Sequence, residues 1–364
     1  MNGLVHVVLA GGRSSRFGAD KLSAPLDGRS LLEVTLSALP SEPAVVVVGP
    51  VRPSGRRVTF IREHPPGGGP GAAMLAGLRH CRSEHPDAWV GVLPGDAPSA
   101  GRALRSLREA LELAHGTAAA GVDAVGALQP LHLVLTPAGR DALLAAGTRQ
   151  DDASPSARSL VGALDPLLVP IEPQEVWDVD EPVQLAGWQY RDAPSTRAVL
   201  DAVRTLAAGR SVGARPLVVC LDGPSGAGTS TLANALAVRT GAVVLAGDDF
   251  RSPRLDAAGL AWALTLSLDD LVEEAVDWRR MLAQARLAAG PLVVLEGVYG
   301  ARAGLRDLVD LTVYVQAPEP VPVVRERDEP GWAALWSSAE RHYLRAHPPA
   351  SYDLVVQGSP VTLG

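Results

Sequence analysis

This sequence has almost no lysine. Lys21 is the single one among 33 basic residues, so arginine is the ordinary cation of this chain and lysine the exception. Cysteine is nearly as scarce. Cys81 and Cys220 are the only two, too few and too far apart for a disulfide framework, and buried thiols in a reducing compartment are the expectation. Aromatic residues make up 4% of the chain, but Ala, Val and Leu are plentiful enough to build cores. No apolar run approaches the roughly 20 residues that span a bilayer. The first run, Leu4–Leu9, is short and lacks the basic leader of a signal peptide. A soluble, cytoplasmic protein without membrane contact is therefore expected. The formal charge of −7 argues against nucleic acid as a partner, although local basic loops could still take phosphates.

What is present is room for two domains of ordinary size in 364 residues. The lone lysine closes the stretch Leu9–Lys21, LAGGRSSRFGADK, which follows the strand-like run Leu4–Leu9. Gly11 and Gly12 let the backbone approach a ligand closely, and Gly18 adds a second flexible point. Arg13, Arg16 and Lys21 place positive charge over the same loop. Glycines at a strand end with convergent cations suit a polyphosphate, whose oxygens need N–H donors and positive charge. The alternative is a chance lysine on a solvated turn. Ser14 and Ser15 are expected as loop donors, since the loop offers no nucleophile–base pair.

Downstream, Ser30–Leu39 has helical spacing with Ser30 as cap, and Ala44–Val48 reads as a strand buried on both faces. A third strand is expected over Arg57–Arg62, then a Gly-rich turn and a helix from Ala72, and a strand over Trp89–Leu93. Strands alternating with helices specify a doubly wound α/β domain with ligands at the carboxyl ends of its strands. Asp96 stands at one such end, either as a Mg²⁺ ligand or as a cap for the helix Pro98–Leu111. A second acidic cluster, Asp178-Val179-Asp180-Glu181-Pro182, follows, in which Asp180 is a metal ligand or an N-cap.

LAGGRSSRFGADK resembles the signature of the molybdenum cofactor guanylyltransferases, within the wider small-molecule nucleotidyltransferases. REHPPGGGPGAAMLAGL, GDAP, QPLHLVL and DVDEPVQL follow in the same order, so the resemblance covers about residues 1–190. It implies transfer of a nucleoside monophosphate from a nucleoside triphosphate to a phosphorylated acceptor, molybdopterin, with release of pyrophosphate. By that resemblance Leu9, Ala10, Gly11 and Gly12 hold the nucleotide, together with Lys21 and Asp96, and Arg16 and Lys21 neutralise its phosphates. Asp96 binds Mg²⁺ with help from Asp180. Gly11-Gly12 favours GTP over CTP. His64 departs from the pattern, because the family often has an acidic residue there.

Tyr190–Ala214 reads as a connector containing a helix over Thr196–Ala208, with the linker itself at 191–213. A strand, Pro216–Leu221, then leads through a second Gly-rich loop into a helix, Leu232–Val238. Gly223 and Gly228 have the P-loop spacing, and Ser230 stands where a Mg²⁺-binding hydroxyl belongs. Thr229 replaces the usual lysine. About residues 214–364 resemble the uridine kinase-like P-loop proteins, through GDDF at Gly247–Phe250, LEGVYG at Leu295–Gly300 and RERDEP at Arg325–Pro330. The resemblance implies nucleotide binding, with ATP as the candidate, at Gly223, Ser225, Gly226, Ala227, Gly228, Thr229, Ser230 and Thr231. It also implies a base at Asp248 or Asp249, Glu296 near the metal, and Arg325 or Arg327 over the phosphates. The expected fold is α/β: two Rossmann-like three-layer α/β/α domains, the first nucleotidyltransferase-like and the second P-loop NTPase-like. A small-metabolite kinase with the first domain as nucleotide sensor is the second functional expectation.

Overall fold

In a computed structural model of the chain, the runs with no polar alternation become the middles of two sheets, where both faces are covered and every side chain can be apolar. The structure describes residues 3–12, 14–41, 44–149, 156–211, 215–255, 259–300, 305, 307–317 and 330–359. Arg13, Arg325 and Arg327, all weighed above as phosphate-binding groups, lie outside these residues. The chain separates into two compact units, Met1–Leu185 and Ala186–Gly364.

The strands of the first unit are β1 (Leu4–Leu9), β2 (Pro25–Leu26), β3 (Arg29–Ser30), β4 (Val45–Val48), β5 (Thr59–Ile61), β6 (Trp89–Pro94), β7 (Ala118–Val122), β8 (Leu128–Leu135) and β9 (Leu167–Pro170). Seven of them form one sheet in the order β5-β4-β1-β6-β8-β7-β9, and β2 pairs with β3 alone. The β5-β4-β1-β6 part is parallel, as the alternation of strand and helix requires. β8 is antiparallel to both β6 and β7. The reason is the turn between β7 and β8. One carboxylate oxygen of Asp123 accepts from Val125 N (3.0 Å) and Ala127 N (2.8 Å), closing a hairpin where a crossover helix would otherwise stand.

Register is what builds the site. Leu9, at the end of β1, pairs with Val48 on one side and Pro94 on the other, so three strands stop together. Ala10 N donates to Val48 O and Gly95 N to Leu9 O, bringing the loops after β1, β4 and β6 side by side. Glycine is required at Gly49, because a side chain there would run into the Ala10 carbonyl. Beneath these loops, Val7, Val48, Met74, Leu78, Val92 and Leu133 are fully buried. The helix Leu31–Ser37 starts where the sequence marks it, with a reciprocal capping box. Ser30 Oγ accepts from Glu33 N, and the Glu33 carboxylate accepts from Ser30 N.

The second unit has an all-parallel sheet of β10 (Leu217–Asp222), β11 (Val243–Ala246), β12 (Leu292–Glu296), β13 (Leu311–Gln316) and β14 (Leu354–Gln357), ordered β11-β12-β10-β13-β14. The helix Pro194–Ala208, read from the sequence as part of a connector, lies within this unit. It buries Thr196, Val199 and Leu200 and packs against the helix Thr229–Thr240 and β14. Both cysteines are free and buried. No helix among the described residues is long and apolar enough to cross a membrane.

Two histidines of the first unit sit in this packing as neutral rings. Burial pushes His6 down to about 4, with the charges of Arg56 and Arg108 acting in the same direction. Burial also pushes His132 down to about 4, against its hydrogen bond to Glu175 O and the charge of Asp96. Below the ordinary histidine value the unfolded chain takes up protons that the folded one refuses, so stability falls as pH drops from about 6.5 towards 4. Each ring should remove about 2 kcal/mol between pH 6.5 and 5. In His6→Phe, the drop in urea unfolding midpoint between pH 7 and pH 5 should shrink accordingly.

Candidate active site

The loop from Leu9 to Lys21 leaves β1, turns at Ser14 (φ 50°) and Gly18 (φ 77°), and ends in a short 3-10 turn, Lys21–Ser23. Ser14 Oγ accepts from Lys21 N at 3.3 Å. Ser14 thus shapes the loop by accepting, and its hydroxyl proton remains a donor. The Lys21 side chain is only 11% exposed, and its ammonium lies 2.6 Å from Asp96 Oδ2 and 2.7 Å from Asp180 Oδ1. Arg16, largely exposed, reaches the other oxygen of Asp180 at 3.4 Å. Burial works against the charge on Lys21, but the carboxylates of Asp96 and Asp180 outweigh it and hold the ammonium above its ordinary value. Lys21 is therefore a fixed cation.

Both aspartates have turned away from their structural alternatives. The helix after Asp96 begins at Ala100 with Ser99 before it, and Asp96 faces Lys21. Asp180 likewise gives its carboxylate to Lys21 and Arg16, while its own N–H donates to Gln184 Oε1 (2.6 Å). Val179 ties the two acidic loops together. Its side chain is fully buried and its N–H donates to Asp96 O at 3.1 Å. In an extended segment alternate residues share a side, so Asp178 and Asp180 come out together beside Asp96. The three carboxylates place oxygens within 4.8 Å of one another. Desolvation of Asp178, then the like charges of Asp96 and Asp180, push its carboxyl up to about 6. Hard oxygen ligands crowded to the point of mutual repulsion fit a small divalent cation. Asp178 was not among the metal ligands expected from sequence, though the alternation Asp-Val-Asp around an apolar residue was a usable signal.

A cleft of about 320 Å³ opens over this cluster, lined by Leu9, Ala10, Gly12, Arg16, Lys21, Asp96 and Asp180 together with Ser14, Ser15 and Leu22. Of the described first-unit site residues expected from sequence, all but Gly11 line this cleft, and Gly11 stands between two that do, Ala10 and Gly12. Ala10 spends its N–H on Val48 O and its carbonyl on Arg52, so its backbone has no free N–H for a ligand. Gly11 and Gly12 make no backbone hydrogen bond among the described residues. Gly11 faces Glu63, and a Cβ there would come within 3.3 Å of Glu63 Oε1. Glu63 is 3% exposed, accepts from Gly67 N at 2.8 Å, and leaves Oε2 without a partner among the described residues. Glu63 is thus an acidic residue buried against the loop one position before His64, and His64 itself is exposed.

In the second unit Gly226 (φ 81°) and Gly228 (φ 94°) shape the loop before the helix Thr229–Thr240. Thr229 Oγ1 and Ser230 Oγ both donate to Glu296 Oε2, at 3.1 and 3.0 Å. Ser225 gives its N–H and its hydroxyl to the two oxygens of Glu340. Ala227 and Thr231 are buried, and Gly223 N donates to the carboxylate of Asp222. Burial pushes Glu296 up to about 7; the two hydroxyls oppose this, and the charges of Asp248 and Asp249 reinforce it. Asp248 and Asp249 are exposed on the 3-10 turn Gly247–Phe250. This loop is held by carboxylates.

Residues 6–167 match the MobA-like NTP transferase domain. The chain is 40% identical over 100 residues to a molybdenum cofactor guanylyltransferase of Sinorhizobium fredii, covering 25% of this chain and 45% of that protein. It is 32% identical over 106 residues to a probable molybdenum cofactor guanylyltransferase of a Geobacillus species, covering 27% and 52%. The chain thus spans about half the length of these curated relatives. Among solved structures, the molybdopterin-guanine dinucleotide biosynthesis protein A of Archaeoglobus fulgidus is 22% identical, with a TM-score of 0.39 over 50% of this chain and 94% of that one. A possible uridine kinase of Bacillus stearothermophilus gives 20% identity and a TM-score of 0.29, over 44% and 98%.

If the three carboxylates hold a divalent ion, Mn²⁺ binding followed by its paramagnetic resonance signal should weaken in Asp96→Asn and Asp180→Asn. The expected loss is about tenfold or more for each carboxylate removed.

Proposed function

We propose that the first unit is a metal-dependent nucleotidyltransferase that moves a nucleoside monophosphate, GMP by preference, from its triphosphate to a phosphorylated acceptor, molybdopterin. The observation that carries this reading is the Lys21 ammonium set between Asp96 and Asp180 at the carboxyl ends of parallel strands. An acceptor phosphate oxygen forms a bond to the α-phosphorus, and the bond to the leaving pyrophosphate breaks. No covalent enzyme intermediate is needed, so catalysis comes from charge and position. Gly11 and Gly12 offer N–H groups to the phosphates, and Arg16 and Lys21 neutralise them. Asp96 and Asp180, with Asp178, would hold Mg²⁺, whose chemistry there is to offset charge on the phosphoryl oxygens. Three carboxylates against Lys21 and Arg16 carry an excess of negative charge, which a divalent ion would offset while adding an attraction for the triphosphate. The GTP preference draws on the relatives' printed activity and on the space that Gly11 leaves beside Glu63.

The second unit, on this reading, binds nucleotide, ATP being the candidate, and is a degenerate kinase. Thr229 brings no positive charge to the loop, and its hydroxyl is already given to Glu296. The competing reading makes the second unit the active kinase and the first a sensor.

The deciding measurement is the product formed from each of the four common triphosphates with Mg²⁺ and molybdopterin. Pyrophosphate released from GTP should fall by about 100- to 1,000-fold in kcat/KM in Lys21→Ala and in Asp96→Ala, the usual cost of removing a group that stabilises transition-state charge. Unchanged rates in both variants would sink the proposal. Nucleoside diphosphate production lost in Asp248→Ala or Asp249→Ala, and indifferent to Lys21, would favour the kinase. Gly11→Ala should raise the KM for GTP, since the new methyl group sits in tight contact with Glu63.

A further inference from the structure

Lys21 lies at the end of a loop whose beginning is the Gly11-Gly12 backbone, and one side chain outside the loop holds both ends. Arg52, in the segment after β4, is 10% exposed. Its Nε and Nη2 donate to the two oxygens of Asp20 at 2.7 and 3.0 Å, a bidentate pair along one edge of the guanidinium. From the other side of the same plane, Nη1 donates to Ala10 O at 2.9 Å and, more weakly, to Pro50 O at 3.4 Å. The Asp20 carboxylate also accepts from Ser23 Oγ at 2.8 Å, and its hydrogen bond with Arg52 is the main reason it ionises below the usual carboxylate range.

We infer that Arg52 is a positioning residue for nucleotide transfer, latching the two ends of the phosphate loop so that the Gly11 N–H and the Lys21 ammonium are aimed before substrate arrives. This rests on the proposed transferase activity of the first unit.

The physical reasons are local. Ala10 C=O and Gly11 N–H belong to one planar trans peptide and point in opposite directions. Fixing the carbonyl on Arg52 therefore fixes the direction of the Gly11 N–H. At the far end, Asp20 and Lys21 share another such plane, and Asp20 O accepts from Ser23 N in the turn that Lys21 begins. Anchoring the Asp20 carboxylate anchors the stem from which the Lys21 side chain leaves. Between the two anchors lie Gly11, Gly12 and Gly18, which resist little if the loop is released. A lysine at position 52 could satisfy one end or the other. Only a planar group with donors on separate edges serves both. Arg52 itself is absent from the residues that line the cleft, so its action on substrate runs through Ala10, Asp20 and their neighbours.

The test uses the full-length protein with GTP, Mg²⁺ and molybdopterin, and compares Arg52→Ala, Arg52→Lys, Asp20→Asn and the double variant Asp20→Asn/Arg52→Ala. Arg52→Ala should lose about 100-fold in kcat/KM, the cost of misplacing catalytic groups by about 1 Å. Arg52→Lys should recover only part of the loss. The double variant should be no worse than Arg52→Ala, because both changes open one latch. Millimolar guanidinium should restore part of the activity to Arg52→Ala and none to Lys21→Ala, a response that mere loss of stability would not give. Amide hydrogen exchange over residues 10–24 should accelerate in Arg52→Ala while the sheet core keeps its protection. Wild-type rates in Arg52→Ala, additive losses in the double variant, or unchanged exchange in the loop would each overturn the inference. A wild-type protein that releases no pyrophosphate would instead sink the transferase reading, and loop exchange would then decide the latch by itself.

Discussion

A nearly buried ammonium is tolerable only where negative charge and hydrogen-bond acceptors meet it. In the first unit that demand is met by Asp96 and Asp180, which belong to loops far apart in sequence. The rest of the site follows from bringing those loops together. β1 and β6 must stop in register, Val179 must hydrogen-bond to Asp96 O, and the glycines after β4 and β6 must let backbones touch. The arrangement is under electrostatic tension, because three carboxylates share one buried ammonium and an exposed guanidinium. Desolvation first, and then the like charges of Asp96 and Asp180, raise the carboxyl of Asp178 to about 6. A site balanced this way gains most from a ligand that brings positive charge and anionic oxygens together, as a metal–triphosphate complex does.

The two Gly-rich loops of the chain solve the same backbone problem with opposite electrostatics. The first ends on Lys21 and is braced from outside by the Arg52 guanidinium. The second has the more familiar spacing, with left-handed glycines and a helix behind it, yet its side chains answer to Glu296 and Glu340. A phosphate entering the second loop would meet those two carboxylates, whose charge a metal ion could offset. The N–H groups of a helix start still favour an anion, though the missing lysine costs the charge that a transferring phosphoryl group needs most.

The buried histidines show how the same packing that positions the site also limits it. His132 lies on β8, neutral because burial outweighs both its hydrogen bond and the nearby Asp96. His6 lies on β1, in the strand that leads into the loop Leu9–Lys21. Acidification therefore weakens the scaffold under the loop over the same range in which Asp178 takes up its proton.

Much of this was already fixed by the amino-acid sequence. Leu4–Leu9, the valine run of β4, the Ser30 capping box and both Gly-rich turns are signals carried within a few residues, and hydrophobic period, glycine and cap chemistry act at that range. The lone lysine, with Asp96 and Asp180, could be picked out in the same way. Tertiary structure alone decided which partners these groups would find. Asp178 joined Asp96 because an extended segment docks on the loop after β6, and Glu63 came to lie against Gly11 although His64 had drawn attention. The hairpin that turns β8 antiparallel hung on one carboxylate, and Arg52 was one arginine among many until the ends of β1 and β4 came into register. Charge pairing acts through space, and a chain whose basic residues are almost all arginine says nothing about which arginine will meet which acid.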